Sequence, residues 1–336
     1  MLRKAPTGRA AVTLYCGIAA VLALLPLISD SKSMLVMLTK ICIFAIFAVS
    51  YDLLLGFTGI VSFGHAMFFG IGAYSVGIMM HGGGHTIGEL LLAVLIGFVI
   101  SAVVSFVIGL LSLRLKSHYY AMLTLACAGL FQVAGEKWRT LTQGGEGFTF
   151  QIPDALKDRQ LFYWVVLALL VIVFFAMRRF TQSPAGRVLQ AIRENEQRVQ
   201  SLGYSIVPYK LLTSVVAGIA ASLAGALYAV SLRFVNTSVF STDVTLEALL
   251  MTIIGGVGTL YGGIIGAAIM ELAHNGLSGL AKTYAIFDRW IIFFGLLYIV
   301  VVMVFPLGIA GTVRSWWRKR RTIPSPSERK VQRTWH

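Results

Sequence analysis

Apolar runs long enough to cross a bilayer recur along this chain from end to end. A helix needs roughly 20 predominantly apolar residues to span the hydrocarbon core. Such runs fall at about Ala10–Ile28, Leu35–Leu55, Glu89–Leu113, Tyr119–Ala134, Leu161–Met177, Leu211–Leu232 and Trp290–Phe305. Two more apolar stretches, 56–80 and 246–280, are broken by glycines. Composition agrees, with 57% apolar and 12% charged residues, where soluble domains hold about a quarter charged. The spacing predicts an all-α, polytopic membrane protein of eight to ten transmembrane helices. A membrane domain over 1–312 leaves only a basic tail, 313–336, and no room for a soluble catalytic domain.

The net charge of +14 is concentrated at the borders of the apolar runs. Of the 28 basic residues, eight lie from Arg314 onward and six lie in the polar island 178–210. That placement fits topology and lipid headgroups rather than nucleic acid. The N-terminal cluster, Arg114/Lys116, the island and the tail are net positive, whereas the links 29–33, 81–88, 136–160 and 233–243 are nearly neutral. Placing the positive group in the cytoplasm satisfies every crossing through residue 232. The tail joins them there only if 246–280 crosses twice or re-enters, so both termini are expected in the cytoplasm. Gly255-Gly256 and Gly262-Gly263 stand where such a break is needed. The run at Ala10–Ile28 is too long for a typical signal-peptide core, and it reads as an uncleaved first span.

Little in the sequence points to catalysis. No GxxxxGK[ST] occurs, so the chain lacks a Walker loop of its own. Cys16, Cys42 and Cys127 show no paired spacing and read as small hydrophobes. Ser62 and His65, three apart on an expected helix, invite comparison with an intramembrane protease, but a polar lining or helix-to-helix hydrogen bonding accounts for both. The histidines of the His81-Gly-Gly-Gly-His85 turn read as solvated. No catalytic residue, metal ligand or cofactor is predicted. Lys40, Asp52, Glu89, Glu136, Glu247, Glu271 and Asp288 lie in or at the edge of spans, and intramembrane charge marks functional candidates by default. No chain of acids suited to proton relay emerges among them.

The polar island carries the most specific local signal. Ser183-Pro184 is a helix start, with Ser as N-cap and Pro at the first helical position. Val188, Ile192, Val199 and Leu202 then recur at mostly helical intervals, Gly203 closes the helix, and Pro208 prevents its early re-formation. One amphipathic helix of about five turns, Pro184–Leu202, is expected between two spans. It either lies on the bilayer or docks in a groove of a partner protein. A second pattern is an echo between LLLGFTGIVSFGHAMFFGIGA and LLMTIIGGVGTLYGGIIGA, with glycines three apart at Gly56/Gly59 and Gly255/Gly258. It reads either as an inverted repeat around a pathway or as chance likeness between glycine-rich helices.

Four blocks resemble the branched-chain amino-acid ABC permeases of the LivM type. They are YDLLLGFTGIVSFGHAMFFGIGAY at 51–74, LRLKSHYYAMLTLACAGLF at 113–131, the island with the span after it, and LLMTIIGGVGTLYGGIIGAA at 249–268. They follow the family's order over about 50–310. Gly186, Ala191, Arg193, Glu194, Asn195, Glu196, Ser201, Leu202 and Gly203 match the family pattern GRxxxAIRENExxxxSLG. The resemblance implies an ABC-importer permease of the bacterial inner membrane, working by alternating access driven by ATP hydrolysis on partner subunits. It implies two cytoplasmic ABC ATPases, a second related permease and a periplasmic solute-binding protein as partners, besides membrane lipids. The matched residues of the island would couple to an ATPase.

The glycine-rich segments would line or hinge the pathway, through Asp52, Gly56, Gly59, Ser62, Gly64, His65, Gly70 and Gly72 in the first half. In the second half the positions are Gly255, Gly256, Gly258, Gly262, Gly263 and Gly266. Two departures stand out. Gln197-Arg198-Val199 replaces the Glu-Ala-Ala tendency of importers, and Asp52 stands where the family often has Asn. The latter marks either an altered solute polarity or a hydrogen bond kept by an ionisable group. A branched-chain amino acid is the expected solute. Urea and short amides remain open, as does a stand-alone channel or secondary carrier that needs no ATPase.

Overall fold

The computed structural model describes residues 32–112, 117–281 and scattered positions between 292 and 312. The first expected span, much of the last and the basic tail therefore lie outside the described residues. Four long helices are apolar enough to cross a membrane: α1 (Lys32–Thr58), α3 (Ile87–Ser112), α6 (Arg159–Gln182) and α9 (Ile206–Leu232). Between them stand α2 (His65–Gly82), α4 (Ser117–Lys137) and the short α5 (Arg139–Thr142). The island forms α7 (Pro184–Glu194) and α8 (Glu196–Ser201), and the chain goes on through α10 (Thr242–Gly255) to α11 (Tyr261–Ala281).

The centre of the bundle is α1, with 72% of its apolar window buried against 28% for α3. Helices α6, α9, α10 and α11 pack around α1, and α2 packs against both α9 and α3, which also meet each other. Leu91, Leu95, Val99, Val103 and Phe106 of α3 are exposed along one side, as a lipid-facing surface requires. Its other side carries two serines to α9, where Ser101 donates to the Gly218 carbonyl at 3.0 Å and Ser105 meets Ser214 at 2.9 Å. Small residues bring helices into backbone contact: Gly72 lies against Ser222, and Gly225 against Phe69. Close approach of this kind drives association where no hydrophobic force acts between helices.

The long apolar stretch is a helical hairpin. Helix α10 ends at Gly255, residues 256–260 turn, and α11 returns alongside, with Gly255 against Gly262 and Gly266 against Met251. With 14 residues, α10 extends roughly 21 Å, short of a full hydrocarbon core. The double glycines stand at the break between the two helices and where they pack together. Gly308 packs against Gly256, so the chain is back at the same end of the bundle near that position.

At the opposite end the two neutral links meet. Strand β1 (Phe148–Thr149) pairs antiparallel with β2 (Phe234–Val235), with Phe148 opposite Val235. His81 joins this cap through contacts with the Thr149 carbonyl at 3.2 Å and Gln143 at 3.0 Å. The expected turn at His81–His85 therefore begins two residues late, because α2 continues through Gly82.

The five-turn helix expected over Pro184–Leu202 is two helices. Asn195 is extended (φ −160, ψ 101), and its side chain accepts from the Arg198 N–H at 2.9 Å. An asparagine that caps the next helix competes with continuation of the first. Elsewhere Ser183 Oγ accepts from the Gly186 N–H at 3.2 Å, Pro184 opens the helix, and Gly203 is left-handed at φ 87. Pro208, expected to hold off the next helix, instead lies in the first turn of α9, where a missing N–H costs no intrahelical bond.

Candidate functional site

The island folds back onto its own chain. Leu189, Ile192 and Val199 are buried, the last two in a small apolar cluster with Ile206, Val188 and Tyr209. The apolar face of the amphipathic stretch thus rests on the permease itself, through contacts with α1, α6 and α9. Neither expectation for that face, bilayer surface or partner groove, describes it. What remains exposed is Ala191, Arg193, Glu194, Asn195, Glu196, Ser201, Leu202 and Gly203, while Gly186 is buried against the Phe180 and Thr181 carbonyls. Leu202 is 70% exposed, an outward-facing apolar group amid charge. Lys210 holds both Glu196 oxygens at 3.0 Å and ties α8 to the start of α9.

Arg193 reaches from the end of α7 into the bundle. Its Nη1 donates to the Gly56 carbonyl in the last turn of α1. A Cβ on Gly258 would stand 3.0 Å from the same nitrogen, and one on Gly59 would stand 3.1 Å from Arg193 Cγ. Gly258 and Gly59 both have positive φ, at 78 and 72, so glycine suits both space and backbone there. The guanidinium therefore sits where three segments meet: α7, the end of α1, and the α10–α11 turn.

Asp52 secures that meeting point from within. Its Oδ1 accepts from the Gly258 N–H at 2.6 Å, and its Oδ2 accepts from the Leu260 N–H at 2.8 Å. The side chain is fully buried, and Arg193 is near enough to feel its charge. Thr259 completes the turn by donating to the Gly256 carbonyl at 2.7 Å and accepting from the Gly262 N–H at 3.1 Å. These bonds cap the break between the half-helices, as irregular backbone inside a membrane protein requires. Of the two readings of Asp52, the hydrogen bond is what the geometry displays.

The remaining pathway candidates are distributed through the bundle. Gly56 lies against Asp52 and Gly258, Gly64 against the Thr124 carbonyl, Gly70 under the Phe240 ring, and Gly263 against Ala48 and Val49. Ser62 is buried in the link before α2, so it does not share a helix with His65. His65 pairs instead with Ser50 at 2.9 Å and stacks on Phe47 with ring centroids 5.3 Å apart. No serine–histidine dyad forms between positions 62 and 65. Among the described residues, no group of three His, Cys, Asp or Glu could hold a metal ion.

A second charged locus went unpaired in the sequence reading. Lys40 of α1 and Glu271 of α11 form an ion pair at 2.9 Å, with the carboxylate side chain 5% exposed. The Asn275 amide also reaches Glu271, donating to its backbone carbonyl at 3.0 Å. The partners are 231 positions apart (271 − 40) and on different elements, so no local spacing links them.

The family described as branched-chain amino acid transport system / permease component matches residues 33–304. The chain belongs to that family of membrane-spanning permeases. The LivM high-affinity branched-chain amino acid permease protein of Salmonella typhimurium is 27% identical over 266 residues, covering 70% of this chain and 62% of the relative. A probable LivM permease protein of Methanocaldococcus jannaschii is 26% identical, covering 67% and 75%. The LivH permease protein of Salmonella typhimurium is 23% identical, covering 80% and 91%. The chain thus spans about three fifths of the length of the Salmonella LivM protein. No solved structure matches it. A multi-pass inner-membrane location follows from the family and the four apolar helices.

Proposed function

We propose that this chain is a permease subunit of an ATP-binding-cassette importer for branched-chain amino acids. ATP is hydrolysed on two partner ATPases at the cytoplasmic face, a second related permease completes the pathway, and a periplasmic binding protein delivers the solute. The observation that carries the reading is the position of Arg193. It stands at the end of α7, whose outer face is exposed, and it donates to the end of the central helix and borders the turn between two half-helices. A displacement of α7 and α8 by an ATPase is thereby passed to α1 and to the α10–α11 hairpin together. Alternating access needs coordinated movement of this kind in spans that carry no nucleotide themselves.

The test is leucine uptake by the complete importer in liposomes, with ATP hydrolysis measured in parallel. Arg193→Ala is expected to leave the complex assembled and its ATPase active while uptake falls by about tenfold or more. Gly203→Pro forces a backbone of φ near −65 where 87 is needed, and should uncouple likewise. Normal uptake by both variants would refute the coupling role. Uptake by the purified chain alone, without ATP, would establish a carrier instead.

A further inference from the structure

The start of α2 meets α1 at a cluster of polar groups, of which Ser50, Tyr51 and His65 are fully buried. The His65 ring is walled by Phe47, Tyr51 and Phe68, with ring centroids 5.3, 5.3 and 5.9 Å away. Ser50 Oγ donates its one proton to the Phe47 carbonyl at 2.6 Å. At its 2.9 Å contact with His65 Nε2 it is therefore the acceptor, so Nε2 carries the ring proton. In the neutral ring Nδ1 is then a bare acceptor. It has no hydrogen-bond partner among the described residues, and neither has the Tyr51 hydroxyl on the adjoining ring. Buried polar side chains in native proteins are nearly always satisfied, by protein or by ordered water.

What would satisfy this pair is narrowly defined. The occupant must donate to Nδ1, while the Tyr51 hydroxyl takes either role. An anion is turned away by the Nδ1 lone pair, and the first α2 amides are already engaged. Ala66 N–H donates to Thr245 Oγ1 at 2.9 Å, and Met67 N–H donates to the Gly64 carbonyl at 3.0 Å. A cation gets no open carboxylate from Asp52, the residue after Tyr51, because the Gly258 and Leu260 amides hold both of its oxygens. The aromatic wall is at most 4% exposed and admits nothing bulky. Water is small and uncharged, and it both donates and accepts.

We infer that His65 and Tyr51 hold a buried water molecule between them, which donates to His65 Nδ1 and bonds the Tyr51 hydroxyl. Helix α2 is thereby tied to α1 by one direct bond, from His65 to Ser50, and by one bond carried through water. The site is independent of the importer reading, because its ligand is water and its readout is not uptake.

X-ray footprinting of the full-length protein, purified in detergent, tests the site. Brief irradiation splits bound water in place, and mass spectrometry locates the oxygen added to nearby rings. Tyr51 should be labelled within about threefold of Tyr204, which is 47% exposed, and about tenfold faster than Tyr163, which is as buried as Tyr51. His65→Phe removes the acceptor and should lower Tyr51 labelling about tenfold. His65→Asn keeps an acceptor near the place of Nδ1 and should retain that labelling within about threefold. A wild-type Tyr51 labelled no faster than Tyr163 overturns the site, as does unchanged Tyr51 labelling in His65→Phe. Should His65→Phe fail to accumulate, Tyr51→Phe decides, read at His65. A fall of about tenfold there supports the water, and wild-type labelling of His65 overturns it.

Discussion

Asp52 and Glu247 are two carboxylates of one bundle, the first on the long apolar helix α1 and the second on the half-helix α10, and they differ in nearly every respect that matters. Asp52 is fully buried and accepts two backbone hydrogen bonds across the α10–α11 turn. Glu247 is exposed on this chain, with no such bond among the described residues. The first carboxylate is a structural fastener whose removal strands two N–H groups, one buried and one partly buried. The second has no hydrogen bond or ion pair to lose among the described residues. Bonded and unbonded carboxylates thus separate what holds this bundle together from what it leaves open at its surface.

Stability measurements on the detergent-purified complex offer the most direct way to break that contrast. Asp52→Leu should be the most damaging change. Each stranded donor costs about 1–3 kcal/mol, so a sharply lowered unfolding temperature, or failure to accumulate in the membrane, is expected. Asp52→Asn keeps one acceptor and should lose about 1–3 kcal/mol, read as a smaller downward shift in the same thermal scan. Lys210→Ala removes a pair whose Glu196 partner is half exposed, and should alter stability by roughly 0–1 kcal/mol. Glu247→Gln should move it least, within about 0.5 kcal/mol. A strong destabilisation by Glu247→Gln, or none by Asp52→Leu, would erase the distinction between the two carboxylates.

Features set by short-range pattern were legible in the sequence. Apolar run length fixed the spans: Leu35–Leu55 is the core of α1, and Leu211–Leu232 is most of α9. The glycine pairs at 255–256 and 262–263 located the hairpin, and Ser183-Pro184 located the start of α7. The signal for the split at Asn195 was also present, since Asn is a strong N-cap with Glu196 following it. Helical periodicity across the site hid it. What the sequence withheld is long-range. Nothing local to Asp52 names Gly258 and Leu260 as its partners, and nothing local to Lys40 names Glu271. The direction of the amphipathic face was equally hidden, because periodicity says that Ile192 and Val199 are covered without saying by what.

The junction beneath the island has a further consequence for how such a protein can change over generations. Arg193 and Asp52 both grip main-chain atoms, namely the Gly56 carbonyl and the Gly258 and Leu260 amides. Main-chain atoms are the same whatever side chains surround them. Provided small residues persist at 56, 59 and 258, neighbouring positions are free to drift without loosening the joint. The joint is thereby insulated from side-chain drift at the positions around it, whatever those positions come to do.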